Sequence, residues 1–589
     1  MKRALLLWTC LAVVVLHLDA APAQQAETFA SVVPDGAIFY ASTHNLESVW
    51  RGIEHSNFWA KFTRLKVWEG ADFRWYDEFR KGFAASLGFE FNTENLMAIF
   101  GREFAVAVYI GAGEGEGADP QIELIFVSRM NPPATVNQMI TKVLESAKER
   151  GGANIVISSV EHRGVKVRTI TGRGAAAQIQ LRLAAGPHVL IAGISNGTPR
   201  IEACLDSLAG EGTPLAANAE FQKLLGMASQ NHGAAFGELY LSMTKLRQAV
   251  ASLGVAEPEM GPLSDLVEMM SGSTNAMVIT TRVDRGLRIK TAAEPGPMMK
   301  PLMPLMRKAP PSPGTHIKYV RPNTLFYYGV NSMPPLGELW PHMMEAYAKI
   351  GFDETIEDGV EQIELALGID FQADVLENAG SEMAFIFEGL DMDAGPVPLP
   401  KATVLLQVND KAKAQALVAK IIGLLEENVP PEAHLSVTDL AYQGATLKVV
   451  GVTVAQGIEI KPVIGLTENF LMISSGEAYA KATIESARVG PSVRHARRYQ
   501  SLLIPEKTNK VLFVNVEEGV RTARQVVDWV VTMAEMQGAG DEAKVSVDEY
   551  VLPLLECLSA LKTVAAYGIV TVEGPVGVLI VRVEDLPSK

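Results

Sequence analysis

The chain has 589 residues, a formal net charge of −15, and a composition that is 48% hydrophobic and 20% charged. One hydrophobic core stops growing at roughly 250–300 residues, so at least two domains are expected. The hydrophobic fraction excludes wholesale disorder. The negative charge repels phosphate backbones and anionic lipid surfaces, which argues against nucleic acids as partners and against adsorption to membranes.

Residues 1–23 have the pattern of a secretory signal peptide. Lys2 and Arg3 precede an apolar stretch at residues 4–16, and Ala21 and Ala23 supply the small residues of a cleavage site. The stretch is shorter than the ~20 residues that a membrane-spanning helix needs, so a retained anchor is the weaker interpretation. A lipoprotein is weaker still, because Cys10 lies within the apolar stretch and follows a poor lipobox.

The mature protein is therefore expected in the periplasm or outside the cell, with no stable membrane insertion after cleavage. No later segment has 18 uninterrupted apolar residues. Cys204 and Cys557 remain after cleavage, and they are interpreted as two separate buried thiols, with one disulfide as the alternative.

Four short blocks recur in the same order in the two halves of the chain. They pair residues 34–40 with 322–328, 46–50 with 336–340, 87–105 with 367–384, and 221–225 with 499–503. We interpret this recurrence as two diverged copies of one domain, at residues 32–294 and 316–586. The stretch between them, residues 295–315, is rich in proline and is predicted to be an extended linker.

Each copy is predicted to be an α+β domain, a mainly antiparallel twisted sheet with packed helices. Strands are predicted at residues 165–170, 234–241, 275–283 and 287–292, and helices at 46–53, 76–87, 136–150, 199–208 and 411–427. Ile179, Leu181 and Leu183 alternate with Gln178, Gln180 and Arg182, which predicts a strand with one wet face. The segments do not alternate strictly between strand and helix, which argues against a doubly wound parallel sheet.

The opening Val33-Pro34-Asp35-Gly36 and the Leu-Gly-x-[Glu/Asp]-Phe block at residues 87–91 and 367–371 carry a family resemblance. With its exported N-terminus, the chain resembles bacterial, planctomycete-like exported proteins that are assigned to a domain of unknown function. The resemblance implies an exported location and this domain architecture. It implies no catalytic residues.

Ser195 lies in a G-x-S-x-G pattern at residues 193–197, after an apolar strand and before a helix, as in the nucleophile elbow of serine hydrolases. The matching place in the second copy, residues 473–477, keeps only a serine-containing turn between a strand and a helix. We therefore interpret Ser195 as a turn or cap residue, with catalysis as the weaker alternative.

Other polar clusters also favour structural interpretations. The glycine-rich run at residues 111–117 lacks the Gly-Lys-Ser/Thr ending of a phosphate loop, and the acidic loop at 391–395 lacks EF-hand spacing, so weak calcium binding is only an alternative there. The histidines form no helical metal pair, methionines at 298–306 and 342–344 suggest copper only weakly, and the basic cluster at 494–498 is interpreted as a solvated helix face. We predict no catalytic, cofactor-binding or metal-binding residues.

The aromatic run at residues 50–83 is predicted to be largely core, with the remainder lining an apolar groove or a contact between the copies. The leading functional hypothesis is a non-enzymatic binding or scaffolding protein of the cell envelope, whose partner is an unknown protein or apolar ligand and whose two domains can pair within one chain. The alternatives are a periplasmic carrier of a lipid or other apolar ligand, and a serine hydrolase using Ser195.

The mature chain is predicted to begin at Gln24. N-terminal sequencing of the protein recovered from the periplasm or the medium of an expressing bacterium checks this, and Ala23→Arg is expected to block cleavage because a large residue does not fit the cleavage position. A recovered chain that retains residues 1–23, or one that is lipidated at Cys10, would contradict the prediction.

Overall fold

Antiparallel strands form the frame of the chain. The computed structural model describes residues 28–583, apart from gaps at residues 46, 48–50, 53, 66–80, 82–102, 112–120, 130–132, 173–178, 187, 198, 231–234, 253–271, 284–285, 349–352, 396, 431–433 and 454–457. The chain divides into two compact units. Unit 1 consists of Met1–Met299 with Asp585–Lys589, and unit 2 consists of Lys300–Glu584.

Unit 1 contains strands β1 to β10 and helices α1 to α5. The strands are β1 Phe39–His44, β2 Glu103–Gly111, β3 Gln121–Arg129, β4 Ile155–His162, β5 Val165–Gly172, β6 Gln180–Ala185, β7 Val189–Ser195, β8 Gly237–Ser242, β9 Thr274–Val283 and β10 Gly286–Pro295. The helices are α1 Asn57–Phe62, α2 Pro133–Gly151, α3 Ile201–Leu208, α4 Ala219–Ser229 and α5 Met243–Ser252. Neighbouring strands pair antiparallel in the order β4–β5–β6–β7–β3–β2–β1–β8–β9–β10.

Helices cover both faces of the sheet in unit 1. On one face, α4 packs against β9 and β10, and its Phe221 ring lies edge-on to Tyr40 and Tyr240 of the central strands. On the other face, Ile140 of α2 packs against Leu183 of β6. Because each strand presents alternate residues to opposite faces, both sets of side chains become core.

The wet face predicted for β6 is wrong at Arg182. This side chain is 6% exposed, and its guanidinium is paired with Glu202 of α3. The alternation correctly predicts a strand. However, α3 covers its polar side and α2 covers its apolar side, so Arg182 does not face water. A buried arginine needs such a partner, because an unpaired charge is strongly disfavoured away from water.

Unit 2 contains strands β11 to β21 and helices α6 to α14. The strands are β11 Phe326–Val330, β12 Ala379–Asp391, β13 Leu399–Val408, β14 Ser436–Tyr442, β15 Ala445–Thr453, β16 Glu459–Ile460, β17 Val463–Leu466, β18 Phe470–Ser474, β19 Lys510–Asn515, β20 Leu561–Val570 and β21 Pro575–Val583. The helices are α6 Met303–Lys308, α7 Leu336–Ala348, α8 Asp353–Leu367, α9 Lys411–Asn428, α10 Glu477–Arg488, α11 Arg497–Gln500, α12 Val516–Met536, α13 Gly540–Ser546 and α14 Leu552–Leu558.

The pairing order of unit 2 is the same as that of unit 1, strand for strand. Its antiparallel pairs run β14–β15–β17–β18–β13–β12–β11–β19–β20–β21, and the short β16 adds to the end of β15. Short 3₁₀ turns also recur at matching places, Phe29–Ser31 with Thr315–Tyr319 and Leu215–Ala217 with Val493–His495. In unit 1 the backbone N–H of Leu215, which follows α3, donates to the Val33 carbonyl before β1. In unit 2 the backbone N–H of Val493, which follows α10, donates to the Val320 carbonyl before β11, and both distances are 2.7 Å.

The pairing corrects one block of the sequence comparison. The repeat of residues 34–40 with 322–328 sets Tyr40 against Tyr328. However, the fully buried tyrosine of β1 is Tyr40, and that of β11 is Tyr327. Ser42 lies opposite Ala105, and Gly329 lies opposite Ala384, which places the true register one residue earlier in unit 2. Both segments have a Pro-Asp or Pro-Asn dipeptide in the preceding turn, and aligning these dipeptides shifts the two strands by one residue.

Other sequence predictions have mixed outcomes. The helices predicted at residues 136–150, 199–208 and 411–427 are confirmed as α2, α3 and α9, and the strands predicted at 165–170, 275–283 and 287–292 are confirmed as β5, β9 and β10. The predicted extended linker at 295–315 is wrong in part, because α6 forms within it and ends in the basic residues Arg307 and Lys308. The helix predicted at 76–87, and most of the one at 46–53, lies outside the described residues. Among the described helices, none has the length and apolar character needed to cross a bilayer.

Candidate functional site

A buried glutamate on a strand of unit 2 holds the first turn of that unit onto its sheet. Glu382 of β12 is 7% exposed, and its Oε2 accepts the backbone N–H groups of Thr315 (2.6 Å) and His316 (3.2 Å) and the Thr315 hydroxyl (2.9 Å). Burial alone would raise the pKa of this carboxyl, but the hydrogen bonds from His316 and Thr315 hold it below its usual value.

His316 extends this contact into a Glu–His–Tyr chain. Its Nδ1 lies 3.0 Å from Glu382 Oε2, and its Nε2 lies 2.8 Å from the Tyr327 hydroxyl oxygen. In the neutral tautomer that satisfies both contacts, Nδ1–H donates to the carboxylate and Nε2 accepts the tyrosine proton. His316 is fully enclosed, and burial raises the pKa of Tyr327 well above its usual value. The tyrosine therefore stays protonated, which is unlike an activated nucleophile.

Unit 1 has the counterpart glutamate, with different neighbours. Glu103 Oε1 accepts the Phe29 backbone N–H at 3.2 Å and lies 3.3 Å from His44 Nδ1, while Oε2 accepts from Arg129 Nε at 2.9 Å. Glu103 and Glu382 each lie two residues before an alanine that faces the central strand, Ala105 and Ala384. We call these two residues the turn-capping glutamates.

The two units fill the space beside the central tyrosine in different ways. Unit 2 has His316 and Gly329 where unit 1 has Phe29 and Ser42. A side chain at residue 329 would collide with the Tyr327 hydroxyl and the His316 ring, so glycine is required for steric reasons. Phe29 and Ser42 are each larger than the corresponding His316 and Gly329, so unit 1 fills this part of its core with more side-chain volume.

Unit 1 also buries a second carboxyl, Glu238 of β8. It is 9% exposed, and its Oε2 has no hydrogen-bond partner within the described part of the chain. Burial raises the pKa of Glu238, the nearby His44 opposes that rise, and Glu103 adds to it. Burial lowers the pKa of His44, but the hydrogen bond to Glu103 together with the negative charges of Glu103 and Glu238 outweighs this and leaves the pKa raised. Unit 2 has Val511 at the corresponding place.

A row of mostly apolar side chains crosses the sheet of unit 2 on the face opposite its tyrosine core. Each residue lies directly opposite the next on the neighbouring strand, and together they form the apolar row: Leu579, Ala566, Leu512, Tyr328, Phe385, Val404, Ile473 and Ile464. The row is not fully covered, since Phe385, Ile473 and Leu579 remain 37%, 41% and 37% exposed.

The serine of the elbow-like pattern makes a local turn. Ser195 is 3% exposed at the end of β7, and its hydroxyl accepts the backbone N–H of Gly197 at 2.9 Å. Its strand pairs antiparallel with β3 and β6, unlike the parallel strands around a nucleophile elbow. In unit 2, the Ser474 hydroxyl lies 3.0 Å from that of Thr403, again a contact within the fold.

The acidic loop, for which weak calcium binding was only an alternative, makes contacts within the unit. In the acidic loop, Asp391 accepts from the Tyr479 hydroxyl and lies 4.0 Å from Lys401. The run at residues 112–117 lies outside the described residues. No group of three or more His, Cys, Asp or Glu side chains could hold a metal ion in the described ranges.

The basic cluster predicted to be a solvated helix face is exposed at His495 and Arg497, whereas Arg494 and Arg498 are partly buried and also make contacts within the unit. Arg494 donates to the Pro313 carbonyl, and Arg498 donates to Asn515 Oδ1 and to Glu517. These contacts join segments far apart in sequence, which local periodicity does not reveal.

Cys204 and Cys557 are buried and are not joined in a disulfide, as predicted. Of the aromatic run at residues 50–83, Phe58, Trp59 and Phe62 are described and stack within α1, and the tryptophans and phenylalanines beyond them lie outside the described residues.

Sequence reasoning missed the turn-capping glutamates and His316 as a site. The available signal was a glutamate present in both halves of the chain within an otherwise apolar strand, at the block that pairs residues 87–105 with 367–384. Comparison with protein-family models, curated proteins and solved structures finds no match to this chain. The resemblance to exported proteins with a domain of unknown function stays a prediction.

Glu382→Gln is expected to destabilise unit 2 at pH 7 by about 1.5–3 kcal/mol, because it removes charged hydrogen bonds to a buried turn. The folded pKa lies below the unfolded value of about 4.3, so the carboxylate contributes stability above that pH and loses it as the pH falls through the folded pKa. The difference between wild type and variant should therefore shrink in acid. Hydrogen exchange of the β11 and β12 amides at several pH values measures it, with the exposed Glu377→Gln as the matched control. A constant difference across pH would contradict the assignment.

Gly329→Ala is expected to destabilise unit 2 by about 1–3 kcal/mol through overpacking against His316 and Tyr327. Gly577→Ala on β21 is the control, because an added Cβ there meets nothing within 4 Å. The double variant His316→Phe with Gly329→Ser copies the pair of unit 1, and a double-mutant cycle in urea should show coupling between the two changes, because both side chains meet the Tyr327 hydroxyl. Additive effects of the two changes on the free energy of unfolding would show that residues 316 and 329 do not influence each other.

Proposed function

We propose that this chain is an exported, tandemly duplicated α+β protein of the cell envelope that binds or scaffolds a partner and does not act as an enzyme. The duplication is supported by the shared pairing order of the two sheets and by glutamates that cap the opening turn in both. Export rests on the signal-peptide pattern at residues 1–23.

The apolar row carries the proposal of a binding role. A sheet face that is meant only for water normally shows polar residues in alternation with the core, whereas this row has apolar side chains on successive strands. Phe385 and Ile473 flank Val404 on adjacent strands and are both more than one-third exposed. Adjacent exposed apolar residues are typical of a surface that another molecule covers.

The ionisable groups that resemble catalytic ones favour structural roles. The Glu382–His316–Tyr327 chain is enclosed, and Oε2 of its carboxylate already accepts two backbone N–H groups and the Thr315 hydroxyl. The Ser195 hydroxyl is occupied by its own turn. A general base or nucleophile must reach a substrate atom at hydrogen-bond distance, which these buried groups do not offer.

A carrier of a lipid or other apolar ligand is the second candidate. It is favoured by the composition of the row. The row consists of aliphatic and aromatic side chains, and its one polar side-chain group is the hydroxyl of Tyr328. Ligand pockets for apolar molecules are lined in this way, with few polar groups to fix orientation. The two candidates therefore differ in the molecule that covers the row, and not in the surface used.

A photoreactive side chain in the row tests both candidates. p-Benzoylphenylalanine placed at Phe385 in the full chain, and irradiated in intact cells, is expected to give an adduct with a defined protein. Adduct formation should fall when Ile473→Asp places a charge beside it. Lys507, an exposed residue before β19, is the matched control position.

The mass of the adduct separates the outcomes. A protein-sized increase supports the scaffold, and an increase of lipid size supports the carrier. Equal labelling at residues 385 and 507, or none at residue 385, would contradict a binding role for the row. A reproducible turnover activity of the purified mature chain would overturn the non-enzymatic proposal itself.

A further inference from the structure

Strand β4 is an edge strand whose outer backbone is not paired within the described part of the chain. It pairs with β5 on one side, from Ile155 opposite Gly172 to His162 opposite Val165. Residues Val156, Ile157 and Val160 are 41%, 38% and 61% exposed. A long, exposed and apolar edge is normally avoided in natural proteins, because it is a template for pairing with another strand.

The turn after β4 defines which backbone groups face outward. Arg163 and Gly164 both have positive φ, of 51° and 74°, which is the geometry of a two-residue type I′ hairpin. In such a hairpin the closing residues, His162 and Val165, form a hydrogen-bonded pair, and the pattern then alternates along the strands. Even-numbered residues of β4 therefore bond to β5, and residues 155, 157, 159 and 161 direct their N–H and C=O groups to the free edge.

The equivalent edge in unit 2 is protected. Strand β14 ends in the matching hairpin, Gln443 and Gly444, with φ of 47° and 83°. Counting back from that turn, Asp439 occupies the place of Ser159, and Ser436 and Thr438 occupy the places of Val156 and Ser158. A charged residue in the middle of an edge strand is a common device against pairing. Strand β4 lacks that device, and it has valine where β14 has serine.

We propose that β4 is a homodimer edge, at which two copies of this chain join their β4 strands antiparallel with Ser158 on the two-fold axis. Antiparallel pairing of outward-facing residues allows only registers in which odd residues lie opposite odd residues. With Ser158 opposite itself, Val156 lies opposite Val160 of the second copy, and this contact occurs twice. Ile157 lies opposite Ser159, Ile155 lies opposite Glu161 at the ends of the contact, and the outward-facing backbone groups of residues 155 to 161 are paired.

The composition of β4 fits this register better than the neighbouring one. Centring on Ser159 would set Ile157 against Glu161 and Val156 against His162, so that each apolar side chain would face a polar one. Centring on Ser158 buries the exposed valines against each other and places two small serines at the axis, where side chains approach most closely. A two-fold contact of this kind is self-complementary and closed, so it gives a dimer and not a fibre. The proposal does not depend on the apolar row.

Single cysteines test the register in the full mature chain. At the axis the two Ser158 Cα atoms would lie about 4.5 Å apart, as in a non-hydrogen-bonded pair, which is within disulfide range. Ser158→Cys is therefore expected to form a covalent dimer on mild oxidation. Ser159→Cys lies opposite Ile157 and should form far less, and Thr438→Cys on β14 is the control on the other edge. The native Cys204 and Cys557 are buried and form no disulfide with each other, so the wild type measures their background.

Sedimentation velocity supplies the second measurement. The wild type is expected to shift from monomer to dimer with increasing concentration, and Val160→Lys should abolish the shift, with Thr438→Lys as the matched exposed control. Val160 is mostly exposed, so its replacement should leave the unfolding transition unchanged. A wild type that stays monomeric at high micromolar concentration, equal cross-linking at residues 158 and 159, or a disulfide from residue 158 to a different protein would each overturn the proposal.

Discussion

The hydrogen bonds of one buried carboxylate hold the opening turn of each unit onto its sheet. A 3₁₀ turn leaves backbone N–H groups without internal partners, and burying them unpaired would be strongly unfavourable. Glu382 accepts two such groups, and Glu103 accepts the corresponding one from Phe29. Because the turn covers the central strand, the burial of Tyr40 and Tyr327 depends on this contact. The hydrophobic core of each unit is thus closed by a buried carboxyl group that accepts backbone hydrogen bonds.

The two units surround this contact with different side chains. Unit 2 uses His316 and Gly329, and unit 1 uses Phe29 and Ser42, so polar and small residues have changed places across the same space. Unit 1 compensates with His44 and Arg129 around its glutamate, but it also buries Glu238 without a hydrogen-bond partner among the described residues. The two units therefore share the same strand pairing but differ in the polar contacts around the glutamate. A polar side chain of one unit cannot be transferred to the other without its partners.

Periodicity predicted the elements well and their surroundings poorly. Strands β5, β9 and β10 and helices α2, α3 and α9 follow from local patterns, because period and propensity are properties of neighbouring residues. The burial of Arg182 depends on α3 packing over β6, and the contacts of Arg494 and Arg498 join distant segments. The sheet order and the turn-capping role of Glu103 and Glu382 likewise arise only in three dimensions. Recurrence of a glutamate within an apolar strand was the one visible trace of the site.

The turn between β4 and β5 has a consequence for the order of folding. Arg163 adopts a left-handed backbone that asparagine or glycine would favour, and its guanidinium reaches Asp206 and Glu211, on and after α3. The turn is therefore held by contacts more than forty residues away and not by its own propensity. This hairpin is expected to nucleate slowly by itself and to become ordered only after α3 has docked, because loop closure precedes the stabilising contact. The outermost strand of unit 1 would then be among its last parts to fold.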